Sequence, residues 1–206
     1  MLVLGITGGI GSGKSRVLYE IGENYNSYIC ETDKLAHKLM NEKELKKSLC
    51  EVFGTEILDT EEGSIDRSKL GRIVFSDEKK LEQLNMLVHP AVKEYILKDI
   101  EEKRDVYDIY VIEAALLIQD GYDSICDEIW YVWASRETRI KRLMEYRSYS
   151  LTRCEEVMAN QPDDDYFEKY TNFTINNDLD YENSSKQLKL RLNNMGINAI
   201  IKTSER

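Results

Sequence analysis

The chain has 206 residues, which is enough to bury the core of one domain with an insertion. It carries 28 Lys and Arg against 38 Asp and Glu, and the formal charge of −10 argues against a nucleic-acid partner held by bulk charge. Its four cysteines form no CxxC pair, so neither a zinc knuckle nor a disulfide framework is predicted. The apolar start MLVLGIT lacks a basic region and is too short to cross a membrane, so we expect a cytoplasmic protein without a membrane partner.

Short apolar runs alternate with helical patterns along the chain. The predicted strands are Leu2–Thr7, Tyr28–Cys30, Asp108–Glu113 and Glu128–Val132. Weaker candidates are Phe173–Ile175 and Ala199–Lys202, the second of them as a final edge strand. Apolar strands separated by helices are typical of a parallel sheet that is covered on both faces. The sequence therefore predicts an α/β doubly wound domain.

The first predicted strand runs into the glycine-rich stretch GITGGIGSGKS, residues 5–15. Within it, Gly8-x-x-x-x-Gly13-Lys14-Ser15 fits the P-loop pattern in full. A helical pattern begins at Lys14 and fades near Gly22, so the motif has the expected strand before it and helix after it. Glycines give the backbone the angles that let successive N–H groups point at one anion.

This motif predicts a site for a nucleoside triphosphate with magnesium. The Lys14 ammonium is expected to face the β- and γ-phosphates, and the Ser15 hydroxyl is placed to bind Mg²⁺. The backbone N–H groups and the positive end of the helix dipole face the phosphates as well. The expected nucleotide-binding residues of the loop are Gly9, Ile10, Gly11, Ser12, Gly13, Lys14 and Ser15.

A carboxylate follows the second predicted strand, in Glu31-Thr-Asp33. A kinase needs a group that receives or orients the proton of the acceptor hydroxyl, and α/β ligand sites form at the carboxyl ends of strands. Asp33 is the best candidate for that group, although it is equally suited to cap the helix KLAHKLM that follows. His37 falls one helical turn later on the same face, where a packing role is the alternative.

Two long stretches interrupt the alternation of strands and helices. Residues 33–105 are helical in pattern and rich in Lys and Glu, and they are far longer than an ordinary crossover connection. We interpret them as a helical insertion that covers one side of the sheet and selects the substrate. The segment Arg136–Asp165 is charged and helical, ends in three aspartates, and is predicted to be a surface helical pair that serves as a lid.

P-loop proteins divide broadly into phosphotransferases, mechanical ATPases and switch GTPases. The sequence has no base-reading NKxD motif and no suitably spaced DxxG switch, which argues against a GTPase. Its third strand, DIYVIE, ends in a single acid, Glu113, where a mechanical ATPase usually carries paired acids. A small chain with a helical insertion and a lid fits a small-molecule kinase better.

These motifs resemble those of the dephospho-coenzyme A kinase family, over most of the chain. GITGGIGSGKS is similar to the family's P-loop almost letter for letter. The stretch from Glu31 to His37 resembles its Asp-x-Asp-x-x-Ala-His/Arg element, with Glu for the first acid. The stretches Ile65–Ser76 and Leu84–Val92 resemble its "DRxxL…VF…L…HPxV" region, which other P-loop kinases lack.

The resemblance implies that ATP with Mg²⁺ phosphorylates the ribose 3′-hydroxyl of dephospho-CoA, which gives CoA and ADP in the last step of coenzyme A biosynthesis. It implies that Asp33 is the catalytic carboxylate and that Glu113 holds magnesium through water. It also implies a nucleotide-binding core at 1–33, 105–135 and 170–206, a CoA-binding insertion at 34–104 and a lid at 136–169. His37 is assigned to the acceptor side of the site.

Several further roles remain open alternatives at this point. His89 either contacts the acceptor or braces the insertion. Arg67 and Arg72 either meet the acceptor's phosphates or are simply solvated. The turn Ile175-Asn-Asn177 resembles one that lies against the adenine of ATP, but Asn and Asp also favour an ordinary turn at the end of a strand.

The lid departs from the family's pattern. Arg142 matches its first arginine, but Tyr146 stands where the second is expected, with Arg147 one place later. Gln161 matches, and it is followed by Pro162–Asp165, where neutral or basic residues are usual. These departures put the geometry of the lid and the rate in question.

A lid arginine balances charge on the transferring phosphoryl group, and it contributes about 10³–10⁵-fold to the rate. We assign Arg142 to this role, with Arg139 and Arg147 as substitutes. The alternative functions are another P-loop kinase of a nucleoside or small metabolite, and a nucleotide-binding regulator that does not turn over. The pattern is compatible with a monomer and with a small homo-oligomer.

Overall fold

The computed structural model describes residues 1–200. Its strands are β1 Leu2–Thr7, β2 Ser27–Glu31, β3 Ile109–Glu113, β4 Glu128–Trp133 and β5 Phe173–Asn176. Its α-helices are α1 Lys14–Asn24, α2 Thr32–Leu39, α3 Lys43–Phe53, α4 Arg67–Val74, α5 Glu78–Lys103, α6 Arg136–Arg147, α7 Leu151–Ala159, α8 Asp164–Tyr170 and α9 Tyr181–Asn194. Single 3₁₀ turns occur at Thr55–Ile57 and Tyr122–Ile125.

The strands form one sheet in the order β2-β3-β1-β4-β5. β1 pairs in parallel with both β3 and β4, and β4 pairs in parallel with β5. The predicted parallel α/β fold is therefore confirmed. The prediction of a final strand at Ala199–Lys202 is wrong for residues 199–200, which adopt no strand, and residues 201–202 lie outside the described part of the chain.

One face of the sheet packs against α1 and α9. Leu4 and Ile6 alternate along β1 and belong to a buried cluster with apolar residues of both helices. On α1, Val17 and Ile21 are one helical turn apart and share a face. Leu188 of α9 belongs to the same buried cluster. Because burial of each such side chain stabilises the fold by about 1.5–3 kcal/mol, this layer anchors the loop between β1 and α1.

The other face of the sheet is covered by the segment after β3 and by α8. A Cβ atom at Gly5 of β1 would lie 2.9 Å from both Cys126 Sγ and Leu117 Cδ1, so only glycine fits there. Farther along, the ring of Tyr131 stacks on Phe167 of α8 with 4.6 Å between the centroids. Both faces of the sheet are therefore covered, as the apolar strands predicted.

The chain divides into two compact units. One joins Met1–Cys30 to the chain from Lys103 onward and contains the P-loop, and the other is Glu31–Glu102. The second unit is helical, and Pro90 lies inside α5 without ending it. Within residues 1–200, no helix has both the length and the apolar content needed to cross a membrane. The boundaries that we predicted for a CoA-binding insertion and a lid remain predictions.

Candidate nucleotide-binding site

The P-loop, residues 8–15, leaves the carboxyl end of β1 and turns directly into α1. Gly13 immediately precedes this helix with φ of 97°, and Gly11 has φ of 80°. Both values lie in the left-handed region that side-chain-bearing residues rarely adopt. Within the turn, the Ser12 N–H donates to the Gly9 carbonyl at 3.1 Å. Since the first N–H groups of a helix have no partner within it, the start of α1 presents donors to an anion.

Asn177 connects the P-loop to the neighbouring strand and helix through hydrogen bonds. Its side-chain amide donates to the Ser12 carbonyl at 2.7 Å, and its Oδ1 accepts from the Ser184 hydroxyl at 2.7 Å. Its backbone N–H donates to the Trp133 carbonyl at 2.8 Å, and the residue is only 5% exposed. Asn177 therefore ties the P-loop to β4 and α9, whereas its predicted place against adenine stays a prediction.

This contact makes Gly13 sensitive to substitution. In Gly13→Ala, the added Cβ would overlap the Asn177 side-chain amide and would also force alanine into a left-handed conformation. We expect the free energy of unfolding to fall by about 3 kcal/mol or more, measured by urea denaturation. Gly196→Ala is the matched control, because Gly196 has φ of 77° but nothing lies within 4 Å of its Cβ position. Equal losses for the two variants would mean that the contact with Asn177 adds nothing.

Lys14, Ser15 and Glu113 complete a set of groups suited to a triphosphate with magnesium. The Lys14 ammonium donates to the Gly8 carbonyl at 2.7 Å and lies 4.0 Å from the Glu113 carboxylate at the end of β3. Ser15 is exposed in the first turn of α1. Hydroxyl and carboxylate oxygens are the ligands that Mg²⁺ prefers. Among the described residues, the Ser12 hydroxyl is also buried without a hydrogen-bond partner.

Two arginines of α6 reach the P-loop from the same face of the helix. Arg142 donates to the Ser12 carbonyl at 3.0 Å, the Gly11 carbonyl at 3.4 Å and the Asn177 carbonyl at 2.8 Å. Arg139 donates through Nε to the Ile10 carbonyl at 2.9 Å. Its burial lowers the pKa of its guanidinium, and the nearby Tyr131 and Asp164 offset part of that shift.

The structure thus brings Arg142 and its predicted substitute Arg139 to the P-loop, where both guanidinium groups donate hydrogen bonds to backbone carbonyls. The other substitute, Arg147, is exposed at the last position of α6. A guanidinium that binds three carbonyls at once is held firmly, since its five donors form a rigid fork. The assignment of Arg142 to the transferring phosphoryl group stays a prediction.

Asp33 lies within the first turn of α2 and is exposed. The alternative that Asp33 caps this helix is wrong. The helix begins at Thr32, two residues before the predicted start at Lys34, so the position before its first turn is Glu31, which has an extended backbone. Glu31 pairs with Lys34 at 2.7 Å, and His37 follows Asp33 by one turn and is half-buried.

The remaining acceptor-side candidates lie in the same unit as Asp33. Arg67 and Arg72 are exposed on α4, whose first turn is capped by the Asp66 carboxylate. His89 is half-buried on α5. Their roles toward an acceptor stay predictions.

The sequence did not predict the contacts that join residues 161–164 to the P-loop and to β4. Gln161 Oε1 accepts from the Ile10 N–H at 2.7 Å, and Asp164 accepts from the side chains of Tyr131 and Trp133. One signal was available, because Tyr131 and Trp133 are two residues apart on a strand and therefore share a face. Each has an apolar ring with a polar tip, which usually finds a partner.

Comparison with known proteins identifies the family of the chain. A family model described as dephospho-CoA kinase matches residues 2–183. The dephospho-CoA kinase of Dehalococcoides mccartyi is 34% identical over 194 residues, which cover 92% of this chain and 96% of that protein. The crystal structure of TT1252 from Thermus thermophilus has a TM-score of 0.80 and 25% identity, over 94% of this chain and 97% of that one. The structure of the dephospho-CoA kinase from Campylobacter jejuni has a TM-score of 0.69 and 24% identity, over 94% of this chain and 96% of that one. The resemblance inferred from the motifs is confirmed, and the chain belongs to the dephospho-CoA kinase family.

Proposed function

We propose that the chain transfers the γ-phosphoryl group of ATP to the ribose 3′-hydroxyl of dephospho-CoA, giving CoA and ADP. The observation that carries this proposal is family membership over residues 2–183, in a chain whose P-loop is complete. The alternatives remain a kinase of another small metabolite and a nucleotide-binding regulator without turnover.

The residues of the P-loop are suited to hold the donor. We assign the phosphates to the P-loop, residues 9–15, and to the Lys14 ammonium. The loop's backbone N–H groups supply the donors, apart from those of Ile10 and Ser12, which donate to Gln161 and Gly9. We assign magnesium to the Ser15 hydroxyl directly and to Glu113 through water. When bound, Mg²⁺ supplies positive charge that neutralises the phosphate oxygens. We place the adenine near the turn that contains Asn177.

On the acceptor side, Asp33 is the proposed catalytic residue. The 3′-oxygen forms a bond to the γ-phosphorus while the bond from that phosphorus to the bridging oxygen of ADP breaks. Asp33 orients the hydroxyl and takes the proton that it loses. We assign His37, His89, Arg67 and Arg72 to contacts with the rest of dephospho-CoA, which carries phosphates that suit the arginines. Residues 34–104 would then form the CoA-binding insertion.

Arg142 is the proposed partner of the transferring phosphoryl group, within a lid at residues 136–169. Its position at the carbonyls of Gly11 and Ser12 keeps a positive charge beside the P-loop. That charge would offset the negative charge of the equatorial oxygens in the transition state. We also propose a cytoplasmic location, because the four cysteines are thiols rather than disulfides, as is usual in a reducing compartment. A monomer and a small homo-oligomer are both compatible with the proposal.

The test is coupled ADP release by the purified chain with Mg-ATP, with and without dephospho-CoA. We expect release that depends on the acceptor and that is lost when magnesium is chelated. ATP binding without release in the presence of any acceptor would favour the regulator. Release with a nucleoside or another metabolite, but not with dephospho-CoA, would favour the other kinase. Mass spectrometry of the product distinguishes a 3′-phosphate from simple ATP hydrolysis.

A further inference from the structure

The acidic run after Gln161 contains one residue with two strong long-range contacts. Asp164 is the first residue of α8, and its Oδ1 accepts from the Tyr131 hydroxyl at 2.6 Å. Its Oδ2 accepts from the Trp133 indole N–H at 2.7 Å. Both donors come from one face of β4. We call Asp164 with these two partners the Asp164 clamp.

Both hydrogen bonds of the clamp are of the stronger kind, because the acceptor group is a carboxylate. The Tyr131 ring is held in addition by its stacking on Phe167 of the same helix, α8. Burial and the Asp164 carboxylate both raise the pKa of Tyr131, so its hydroxyl remains a donor at neutral pH. The clamp therefore fixes the start of α8 against the sheet.

The start of α8 is linked to the P-loop through a short stiff segment. Gln161 lies three residues before Asp164, and Pro162 between them restricts the backbone. Gln161 Oε1 accepts both from the Ile10 N–H at 2.7 Å and from Arg139 Nη2 at 3.1 Å. Arg139 in turn donates to the Ile10 carbonyl at 2.9 Å. Both backbone polar groups of Ile10 are thus held by side chains whose positions depend on this region.

We propose that Asp164 is a positioning residue for nucleotide binding, because the Asp164 clamp holds Gln161 and Arg139 where they fix the P-loop at Ile10. Asp164 itself does not contact the P-loop and acts through these two side chains. The inference builds on the proposed function in assigning ATP to the loop. It gives a role to Asp164 within the acidic run that follows Gln161.

The first test compares Asp164→Ala with Asp165→Ala. Asp165 is exposed in the same turn of α8, so its replacement removes the same charge without removing the clamp. In Asp164→Ala we expect faster amide hydrogen exchange at Ile10 and an increase of about tenfold in the dissociation constant for Mg-ATP. In Asp165→Ala neither quantity changes. The KM for dephospho-CoA is expected to stay at the wild-type value in both variants.

Asp164→Asn separates the geometry of the clamp from its charge. An asparagine Oδ1 can accept from the Trp133 indole, while its Nδ2 donates to the Tyr131 hydroxyl, which can also accept. We therefore expect this variant to recover most of the Ile10 protection and the ATP affinity. If Asp164→Ala does not fold, Tyr131→Phe removes one donor of the clamp and is measured in the same way.

A lower thermal midpoint in Asp164→Ala, with Ile10 exchange and ATP affinity unchanged, would overturn the proposal, because the clamp would then only stabilise α8. Failure of Asp164→Asn to recover either property would overturn it too. Neither amide exchange nor ATP binding requires an acceptor. A wild-type chain that fails to phosphorylate dephospho-CoA would therefore count against the proposed function and leave this test intact.

Discussion

Replacement of Asp33 by asparagine is expected to reduce acceptor-dependent ADP release by about 10²–10⁴-fold while Mg-ATP still binds. Asparagine has the size of aspartate and retains one acceptor oxygen, but it cannot take the proton of the 3′-hydroxyl. The donor side is expected to be unaffected, since the P-loop residues are unchanged. The measurement is steady-state turnover with dephospho-CoA, together with equilibrium binding of Mg-ATP.

Glu44→Gln is the matched control for this variant. Glu44 is the second residue of α3, as Asp33 is of α2, and both side chains are exposed. The two substitutions therefore remove a carboxylate from equivalent positions of two helices in the same compact unit. Normal turnover in a folded Asp33→Asn variant would remove Asp33 from the mechanism. A loss of ATP binding together with turnover would assign the residue a role other than that of the base.

Arg142→Ala is expected to lower kcat by about 10³–10⁵-fold, with a much smaller rise in the KM for ATP. The reason is the loss of positive charge where negative charge develops on the phosphoryl group. Because Arg142 also binds the carbonyls of Gly11, Ser12 and Asn177, we expect some loss of stability as well. Urea denaturation of the variant measures that loss separately from the kinetics.

Arg136→Ala serves as the control on the same helix. Arg136 is exposed and pairs with Glu155 of α7 at 2.6 Å, and exposed pairs of this kind contribute little to stability. Its replacement removes a positive charge from α6 without touching the P-loop. If Arg142→Ala lowers stability and ATP affinity but leaves kcat unchanged, then Arg142 only braces the loop and the catalytic assignment is wrong.

The features that a short stretch of sequence specifies by itself, such as the P-loop and the buried strands, were predictable. The P-loop is specified by glycines and a lysine within eight positions, and the structure has the expected strand before it and helix after it. Five strands were found from apolar runs, since buried parallel strands need little else to be recognised. The sixth predicted strand, Ala199–Lys202, was wrong at residues 199–200, which adopt no strand. The Ile200 N–H donates there to the carbonyl of Asn24, the last residue of helix α1, rather than to a strand.

The interactions that surround the loop were not predictable in the same way. The bond from Arg142 to Ser12 spans 130 positions of the sequence, and the bond from the Ile10 N–H to Gln161 spans 151. Such partners are set by the packing of the sheet and helices rather than by local pattern. The resemblance to the family's motifs singled out Gln161 and Arg142, but it did not predict which groups they contact. It left Asp164 as an unexplained departure, because its partners lie on β4.

The close contact at Gly5 has a chemical consequence for Cys126. The thiol packs against the bare backbone of β1, and burial, assisted by Asp123 and Asp127, raises its pKa to about 12. At neutral pH almost none of it is thiolate, the form that attacks disulfides and electrophiles. CoA, the proposed product, carries a free thiol that can form mixed disulfides. We expect Cys126, beneath the strand that leads into the P-loop, to exchange only slowly with such disulfides, because exchange requires a thiolate.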